Sequence, residues 1–543
     1  MGKNRDGGGG LSRRDLLTGA GAGVVCAGLG SVMAGCNGLV QPKRAVGQRD
    51  DLSVRVVNDH INYMSRYRDQ LLRDRHRATY HFVVPEGIAE PFDPNGAIYW
   101  KGRYHLFYIF QNEKGDCWGH VSSSDLIHWR WHPTALEPSK PDAAIYSGNA
   151  FVNKNGVPTI MYHGLDAGNS IAFSEDNELD NWKKAEFNPI VPNPKKGERD
   201  YGRYDSWDPH AWLEGDTYYA IFGGNPEWGS PATLFKSRDL RKWKFMGNFL
   251  DHEMPGVAED EDISCPDFFK LGDKHMLLCI SHNMGCRYYL GEFRNEKFYP
   301  EKHSRMNWPG GDCFAPESLL DDKGRRIMWA WALDPRTNWG TRDEKITEHG
   351  WSGTMTLPRV LSLDDDGVLH IEPVEELKAL RTGHKQKKNL AVVGGTELKI
   401  DDIKGDCLEL DLTINPKNAV KFGIKVRCSE GGEEETPIMY DSKKRCVRID
   451  LAKTSLDKDL MEWYEEDEYK QEAPFELRRG EALNLRIFLD RSIMEVFVNR
   501  RQCLTQRLYA TRDDSQSIVL FSKAGNIKVP LFNAWKMNPS NPW

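Results

Sequence analysis

One short unit returns three times between residues 122 and 245: SSSDLIHWRW (122–131), SEDNELDNWKK (174–184) and KSRDLRKWKF (236–245). Each places Ser, then Asp, then Trp after a pair of short runs of alternating apolar β-formers, so one supersecondary unit is reused along the chain. The runs include GAIYWKGRYHLFYIF, NAFVNKNGVPTIMYHG, HAWLEGDTYYAIFGG, DFFKLGDKHMLLCIS and RRIMWAWAL. Several turn on Lys-Gly, Asn-Gly or Gly-Asp, which tight hairpins favour because their backbone takes positive φ. Repeated four-strand units predict an all-β fold, a β-propeller over residues 77–370 whose blades surround a central pocket. A plain β-sandwich of repeated hairpins is the alternative.

Further alternating runs, CLELDLTIN, VKFGIKVRC, LNLRIFLDRSIMEVFVN and SIVLFSK, suit a separate C-terminal β-sandwich over 395–543. Between the two, VEELKALRTGHKQKKNLAV reads as a short charged helix and a basic run, predicting a linker over 371–394. Residues 37–76 read as a linker and then a charged helix over 51–76. The first 36 residues follow other rules. Arg13 and Arg14 precede a short Gly- and Ala-rich apolar run that ends in Met33-Ala34-Gly35-Cys36. That run is too short for a membrane span and reads as a twin-arginine export signal. Its end resembles a lipobox, which would make Cys36 a lipidated residue and place the protein in the periplasm or at the cell surface, touching membrane only through that lipid. Ordinary signal cleavage that leaves a free Cys36 is the alternative.

The formal net charge of −7, with no Lys/Arg-rich face, excludes a nucleic-acid partner. Eleven cysteines include nine after the leader, without CxxC pairs or His-Cys spacing, and no Gly-rich phosphate loop occurs. No metal and no cofactor is expected. Export of a chain folded in the reducing cytoplasm predicts few disulfides.

Pocket chemistry has to come from strand starts facing the propeller axis. Asp93-Pro94, Asp208-Pro209 and Cys265-Pro266 each open an apolar strand, where Pro fixes φ and holds the preceding residue at a bend. The last follows four consecutive acids, Glu259 to Asp262. Asp125, Asp239 and Asp490 read as turn or packing residues, and His120 and His210 as hydrogen-bonded structural histidines.

The order DPNGAIYWKGRYHLFY, WGHVSSSDLIHW, YSGNAF, WDPHAW, SCPDFF, GGDCFAPESLLDDKGRRIMWAW, GWSGTMTLPRVLSL and LRIFLDRSIMEVFVN resembles glycoside hydrolase family 32, the β-fructofuranosidases, across roughly residues 77–535. The resemblance implies a five-bladed β-propeller followed by a β-sandwich, and hydrolysis of fructofuranosyl bonds in a saccharide substrate with retention. Retention requires a nucleophilic carboxylate and an acid/base carboxyl flanking the bond. By resemblance Asp93 is the nucleophile and Asp208 the transition-state stabiliser, with Asn95, Trp118, Ser147 and Trp207 at the sugar; a blade-core role for Trp118 is the alternative.

The chain departs from the family pattern at several places. Phe92 replaces an Asn, the preceding loop reads IAEP, Ile109 replaces a Gln and Trp207 an Arg. Ser264 stands where the family has its acid/base Glu, and a hydroxyl is no general acid near neutral pH. Asp262 shares the strand face of Ser264; Glu261 has longer reach but opposite parity; Glu317 is a third candidate acid. The acid should have a raised pKa. Loss of polar sugar contacts predicts a glycon other than unmodified β-fructofuranose, or an unusual linkage. A non-catalytic carbohydrate-binding propeller and an arabinan-type furanosidase are the alternative functions.

Overall fold

A computed structural model of the 543-residue chain describes residues 74–224, 232–250, 254–334, 336, 350–461 and 469–541. The expected leader, Cys36 and all but the last three residues of the expected 51–76 helix lie outside the described residues. Five antiparallel sheets follow in chain order, each a four-strand meander, opened by Pro94–Trp100, Ile145–Val152, Pro209–Glu214, Ser264–Leu271 and Cys313–Leu320. Two of them carry one extra two-residue strand, Val191–Pro192 and Thr354–Met355. These opening strands touch one another in a closed ring, the fifth against the first. They are the inner strands of a five-bladed propeller, and their N-terminal ends converge on its axis.

The repeated Ser-Asp-Trp unit is the link between the third and fourth strands of the first three blades. Asp125 Oδ1 accepts the Ile127 and His128 amides at 3.0 and 2.8 Å, and Asp239 Oδ1 accepts the Arg241 and Lys242 amides, both at 2.9 Å. Asp176 does the same for Glu178 and Asp180. The side chain thus imitates a backbone turn, the known habit of Asp in such places. Leu126, Leu179 and Leu240 follow with φ of 66°, 58° and 63°, and all three are buried. A left-handed Leu costs roughly 1–2 kcal/mol, which burial of its side chain offsets. In two blades the Trp closes the turn: Trp182 and Trp243 donate Nε1–H to the Leu179 and Leu240 carbonyls at 2.9 and 3.1 Å.

The chain ahead of the first blade ties the ring shut. Met355 N–H donates to the Phe82 carbonyl at 2.9 Å and Val84 N–H to the Gly353 carbonyl at 3.0 Å, both on the fifth blade. Two six-stranded sheets, running from Arg381–Val392 to Ile527–Met537, then pack face to face around Leu410, Ile424, Ile487, Val496, Leu520 and Phe532. The expected linker at 371–394 is corrected. Leu369–Pro373 is the last strand of the propeller, Glu375–Leu380 a 3₁₀ turn, and Arg381–Val392 already the edge strand of the sandwich, paired with Ile527–Met537.

Buried charges join the domains. Glu495 accepts the Leu357 amide at 2.8 Å and lies 3.3 Å from Arg359 Nη2. Asp312 accepts Gln506 Nε2–H and the Arg507 amide at 2.8 and 2.7 Å, and Asp334 accepts Arg507 Nη2–H at 2.8 Å. All nine described cysteines are free thiols.

Candidate active site

The inner strands do not run smoothly to the axis. Four of the five slip register near their start, between Asn95 and Ile98, Ile145 and Gly148, Ser264 and Asp267, and Phe314 and Glu317. Bulges of this kind re-aim side chains next to active sites. Pro266 and Pro316 sit inside two of them, where the ladder needs no donor. Gly96 takes φ 55° in the first, and a Cβ there would stand 3.0 Å from both Phe107 and Trp118.

Asp93 lies at this convergence, 8% exposed. Its Oδ2 accepts Ser147 Oγ–H at 2.9 Å, while among the described residues its buried Oδ1 has no hydrogen-bond partner. Asn95 fixes the bend: its Nδ2–H donates to the Asp93 carbonyl at 2.8 Å, and its Oδ1 accepts the Gly148 amide of the second blade at 3.0 Å. Asp208 opens the third blade, and its Oδ2 accepts the Cys265 amide at 3.0 Å. Cys265 itself, at φ 46°, puts Sγ 3.7 Å from carboxylate oxygens of both Asp93 and Asp208 and 3.6 Å from Ser147 Oγ. Burial pushes the Asp93 carboxyl up to about 6, against the hydrogen bond from Ser147 and helped by the Asp208 charge. Burial and the same two carboxylates hold the Cys265 thiol well above its usual range.

Sequence reasoning placed three candidate acids around Ser264, and their surroundings differ. Glu261 is clamped: its carboxylate pairs with Arg287 Nη1 at 3.1 Å, Arg305 and the Ala258 amide at 3.0 Å. Burial alone would raise its pKa, but the two guanidiniums and the amide hold it below the ordinary range. Asp262 accepts Ser264 Oγ–H at 2.8 Å, the His282 amide at 2.8 Å and His282 Nδ1 at 2.6 Å. Against the opposing effect of burial, the charge and hydrogen bonds of His282 hold it low. Glu317 accepts the Ala97 amide at 2.9 Å and so braces the Asn95–Ala97 bulge from the fifth blade. Burial, then the Asp267 charge, push it far up. The raised pKa expected of the acid is found in Glu317 alone of these three, and one oxygen of that carboxyl, Oε1, is engaged by the backbone of the first blade.

Trp118 is corrected to a core residue. It is fully buried between the first two blades, and its Nε1–H donates to the Tyr146 carbonyl at 3.0 Å. Phe92 and Ile109 also face the core. Phe92 stacks on Phe82 at 6.3 Å, and Ile109 packs beside Trp118 while its amide holds the Asp93 carbonyl at 3.0 Å. Trp207 alone of the substituted sugar contacts is half-buried, and its Nε1–H donates to Ser264 Oγ at 3.1 Å. Two departures from the family pattern therefore meet in one hydrogen bond, and Ser264 passes that bond on to Asp262.

His282 was missed. It follows the second strand of the fourth blade, where Ser264 pairs with Ile280, so the same register sets Asp262 opposite His282. Counting back from the Gly272-Asp273 hairpin turn and allowing one bulge at Cys265-Pro266 would have found the pair. Burial opposes protonation of His282, but the Asp262 charge and hydrogen bond, then the Asp208 and Asp93 charges, raise its pKa above the usual histidine value.

Among the described residues one cluster has metal-ligand atoms close together, His120, His132 and Asp180. Its two rings stack at 4.2 Å, and both nitrogens of His132 are engaged, Nδ1 with Asp180 and Nε2 with Ser122, each at 2.6 Å. His120 is bonded to His105 at 2.9 Å, so the cluster reads as a hydrogen-bonded stack inside the first blade.

Two buried aspartates, Asp93 and Asp208, thus meet where the inner strands converge, joined through the amide and thiol of Cys265. Residues 81–373 match the glycosyl hydrolases family 32 N-terminal domain and residues 376–536 its C-terminal domain, so the chain belongs to glycosyl hydrolase family 32 and is a glycosidase. It is 30% identical to an insoluble isoenzyme of β-fructofuranosidase from Arabidopsis thaliana over 85% of this chain and 91% of that one. It is 28% identical to levanase from Bacillus subtilis (strain 168) over 86% and 72%. The fold matches the fructan 1-exohydrolase IIa of Cichorium intybus with a TM-score of 0.75 at 23% identity, covering 86% of this chain and 98% of that one; a single-residue variant of that enzyme has been solved in complex with 1-kestose.

Proposed function

We propose that this glycosidase cleaves fructofuranosyl bonds of an oligo- or polysaccharide by double displacement through Asp93. The observation that carries the reading is Asp93 itself, aimed at the axis by Ser147 and Asn95 with Asp208 beside it. An Asp93 oxygen attacks the anomeric carbon as the bond to the leaving oxygen breaks, giving a glycosyl-enzyme ester that water then opens. Asp208 places negative charge where the oxocarbenium character develops, and such preorganised charge is usually the largest catalytic term. The relatives named for β-fructofuranosidase, levanase and fructan exohydrolase activity support the substrate class.

Of the departures from the family pattern, Trp207 and Ser264 line the site while Phe92 and Ile109 do not, so the altered glycon or linkage rests on Trp207. Incubation with sucrose, inulin and levan tests both points. Turnover of at least one, lost on Asp93→Asn, is the expected result; invertase-like turnover of all three would remove the altered-glycon reading, and binding without cleavage of any would overturn the function. Export and lipid attachment at Cys36 rest on the leader pattern; acyl labelling abolished by Cys36→Ala is the expected outcome.

A further inference from the structure

We propose that His163 is the positioning residue of Asp208, the histidine that orients the transition-state stabiliser toward the charge that develops on the sugar. The inference rests on the reading of the protein as a retaining fructosidase. In that reading Asp208 works by standing where charge develops, and such a group is worth most when it needs no reorganisation. One of its oxygens is fixed, since Oδ2 accepts the Cys265 amide at 3.0 Å. A carboxylate held at one oxygen can still turn about that bond, so the second oxygen decides the orientation. The residue ahead of Asp208 is Trp207, where the family pattern has an arginine, so no cation comes from that position.

His163 faces the second oxygen. Its Nδ1 lies 3.7 Å from Asp208 Oδ1, and the residue is 1% exposed. Among the described residues that nitrogen is buried without a hydrogen-bond partner, a costly state for a ring nitrogen. A lone pair there would face a carboxylate, so the nitrogen carries the proton and the tautomer is Nδ1–H. The distance is just beyond a hydrogen bond; contacts of this kind are often long before substrate binds and tighten in the complex. A carboxylate offers about four lone-pair sites, which leaves room for sugar hydroxyls beside the imidazole.

Register and packing set the ring there. His163 is next to last in Pro158–Gly164, the second strand of the second blade, and pairs with Asn169 on the third. Asn169 donates its Nδ2–H to the Trp207 carbonyl and its amide to Ser206 Oγ, both at 2.9 Å, and Ser206 Oγ–H donates to the Val191 carbonyl at 2.6 Å. The segment that leads into Asp208 is thus tied to the strand pair that carries His163. The His163 ring packs against Trp207 at 5.0 Å and Tyr146 at 5.7 Å. Tyr146 precedes Ser147, which holds Asp93, so the same seam reaches both carboxylates. Asp205 is another carboxylate on which the His163 charge acts, but the ion-pair contact of His163 goes to Asp208.

The test is a double-mutant cycle on the fructoside that the wild type cleaves best, with kcat and KM measured for His163→Leu, Asp208→Ala and the two combined. His163→Leu should lower kcat on the order of 10²-fold and leave KM nearly unchanged, because a displaced stabiliser is felt in the transition state. In the Asp208→Ala background the same change should cost almost nothing further, whereas a cycle with Asp205→Asn should be additive. His163→Asn, whose amide sets an N–H near the Nδ1 position, should recover most of the loss, and His163→Gln, whose N–H falls near Nε2, should not. Rates are taken per folded molecule, so that if His163→Leu lowers the melting temperature the contrast between Asn and Gln decides. An unchanged kcat in His163→Leu, equal losses with and without the Asp208 carboxylate, or better rescue by Gln than by Asn would overturn the assignment. A wild type that cleaves no fructoside overturns the functional reading with it, whereas a wild type that cleaves, with additive His163 and Asp208 losses, overturns this inference alone.

Discussion

Two aspartates in this molecule are both buried and have opposite surroundings. Asp490, in the sandwich, is fully buried, and its Oδ1 accepts Thr79 N–H and Oγ1–H at 2.7 and 2.8 Å. Its Oδ2 accepts the Tyr80 and His81 amides at 2.8 Å and faces His81 Nδ1 at 3.0 Å. Asp93, at the propeller axis, has one oxygen held by Ser147 and the other without a partner among the described residues. Burial acts to raise the pKa of both; at Asp490 the hydrogen bonds and charge of His81 reverse the effect, while at Asp93 burial wins and the carboxyl sits at about 6. A saturated carboxylate anchors the chain that leads into the propeller. An unsaturated one, whose dehydration the rest of the fold has met, suits the nucleophile's role proposed for Asp93.

Exchanging the environments is not feasible, but removing each carboxylate separates the roles. Asp93→Asn should lower turnover of the best fructoside on the order of 10⁴-fold or more, as loss of a nucleophile does, with the fold intact by circular dichroism. Asp490→Ala should do the reverse. It strands the Thr79, Tyr80 and His81 donors, so thermal melting should show a loss on the order of 3–5 kcal/mol, while the rate per folded molecule at low temperature stays within a few-fold of wild type. If Asp490→Ala lost activity without losing stability, the contrast would fail. Asp208→Asn should fall between them in rate, about 10²- to 10³-fold, because it removes a stabilising charge and leaves the nucleophile; kcat measured at saturating substrate decides it.

How much of this contrast the sequence discloses depends on whether the cause is local. Blade turns are legible because Ser, Asp and Trp act within a few residues of one another, and Asp93 and Asp208 because a following Pro marks a bend. Arg381–Val392 was hidden because an edge strand carries Lys on its open side, which protects the edge but masks the alternation that identifies a strand. Trp118 was misplaced because period two says which residues share a face, not whether that face meets a pocket or the neighbouring blade. His282 escaped because its partnership with Asp262 depends on a bulge at Cys265-Pro266, and a one-residue shift of register changes which side chains oppose one another.

The smallest effect tests the physics of the contrast most closely. A carboxyl whose folded pKa is about 6, against an ordinary value of 3.8, binds more protons in the folded than in the unfolded state between those two pH values. Its contribution to stability therefore falls as pH rises through that window and stays low above it. Asp490, with its folded pKa depressed, has the opposite sign: its contribution is present above the ordinary carboxylate range and fades as pH falls. Asp93→Asn should accordingly raise the melting temperature at pH 7, by an amount corresponding to roughly 1–3 kcal/mol. The gain should shrink toward pH 4, where the wild-type carboxyl is itself neutral in the fold. The acid limb of the wild-type pH–rate profile should carry the same group, with kcat/KM falling below about pH 6 as Asp93 takes up its proton. A pH-independent change in melting temperature for Asp93→Asn, together with an acid limb near pH 4, would show that Asp93 is as well satisfied as Asp490 and that the difference between the two sites lies elsewhere.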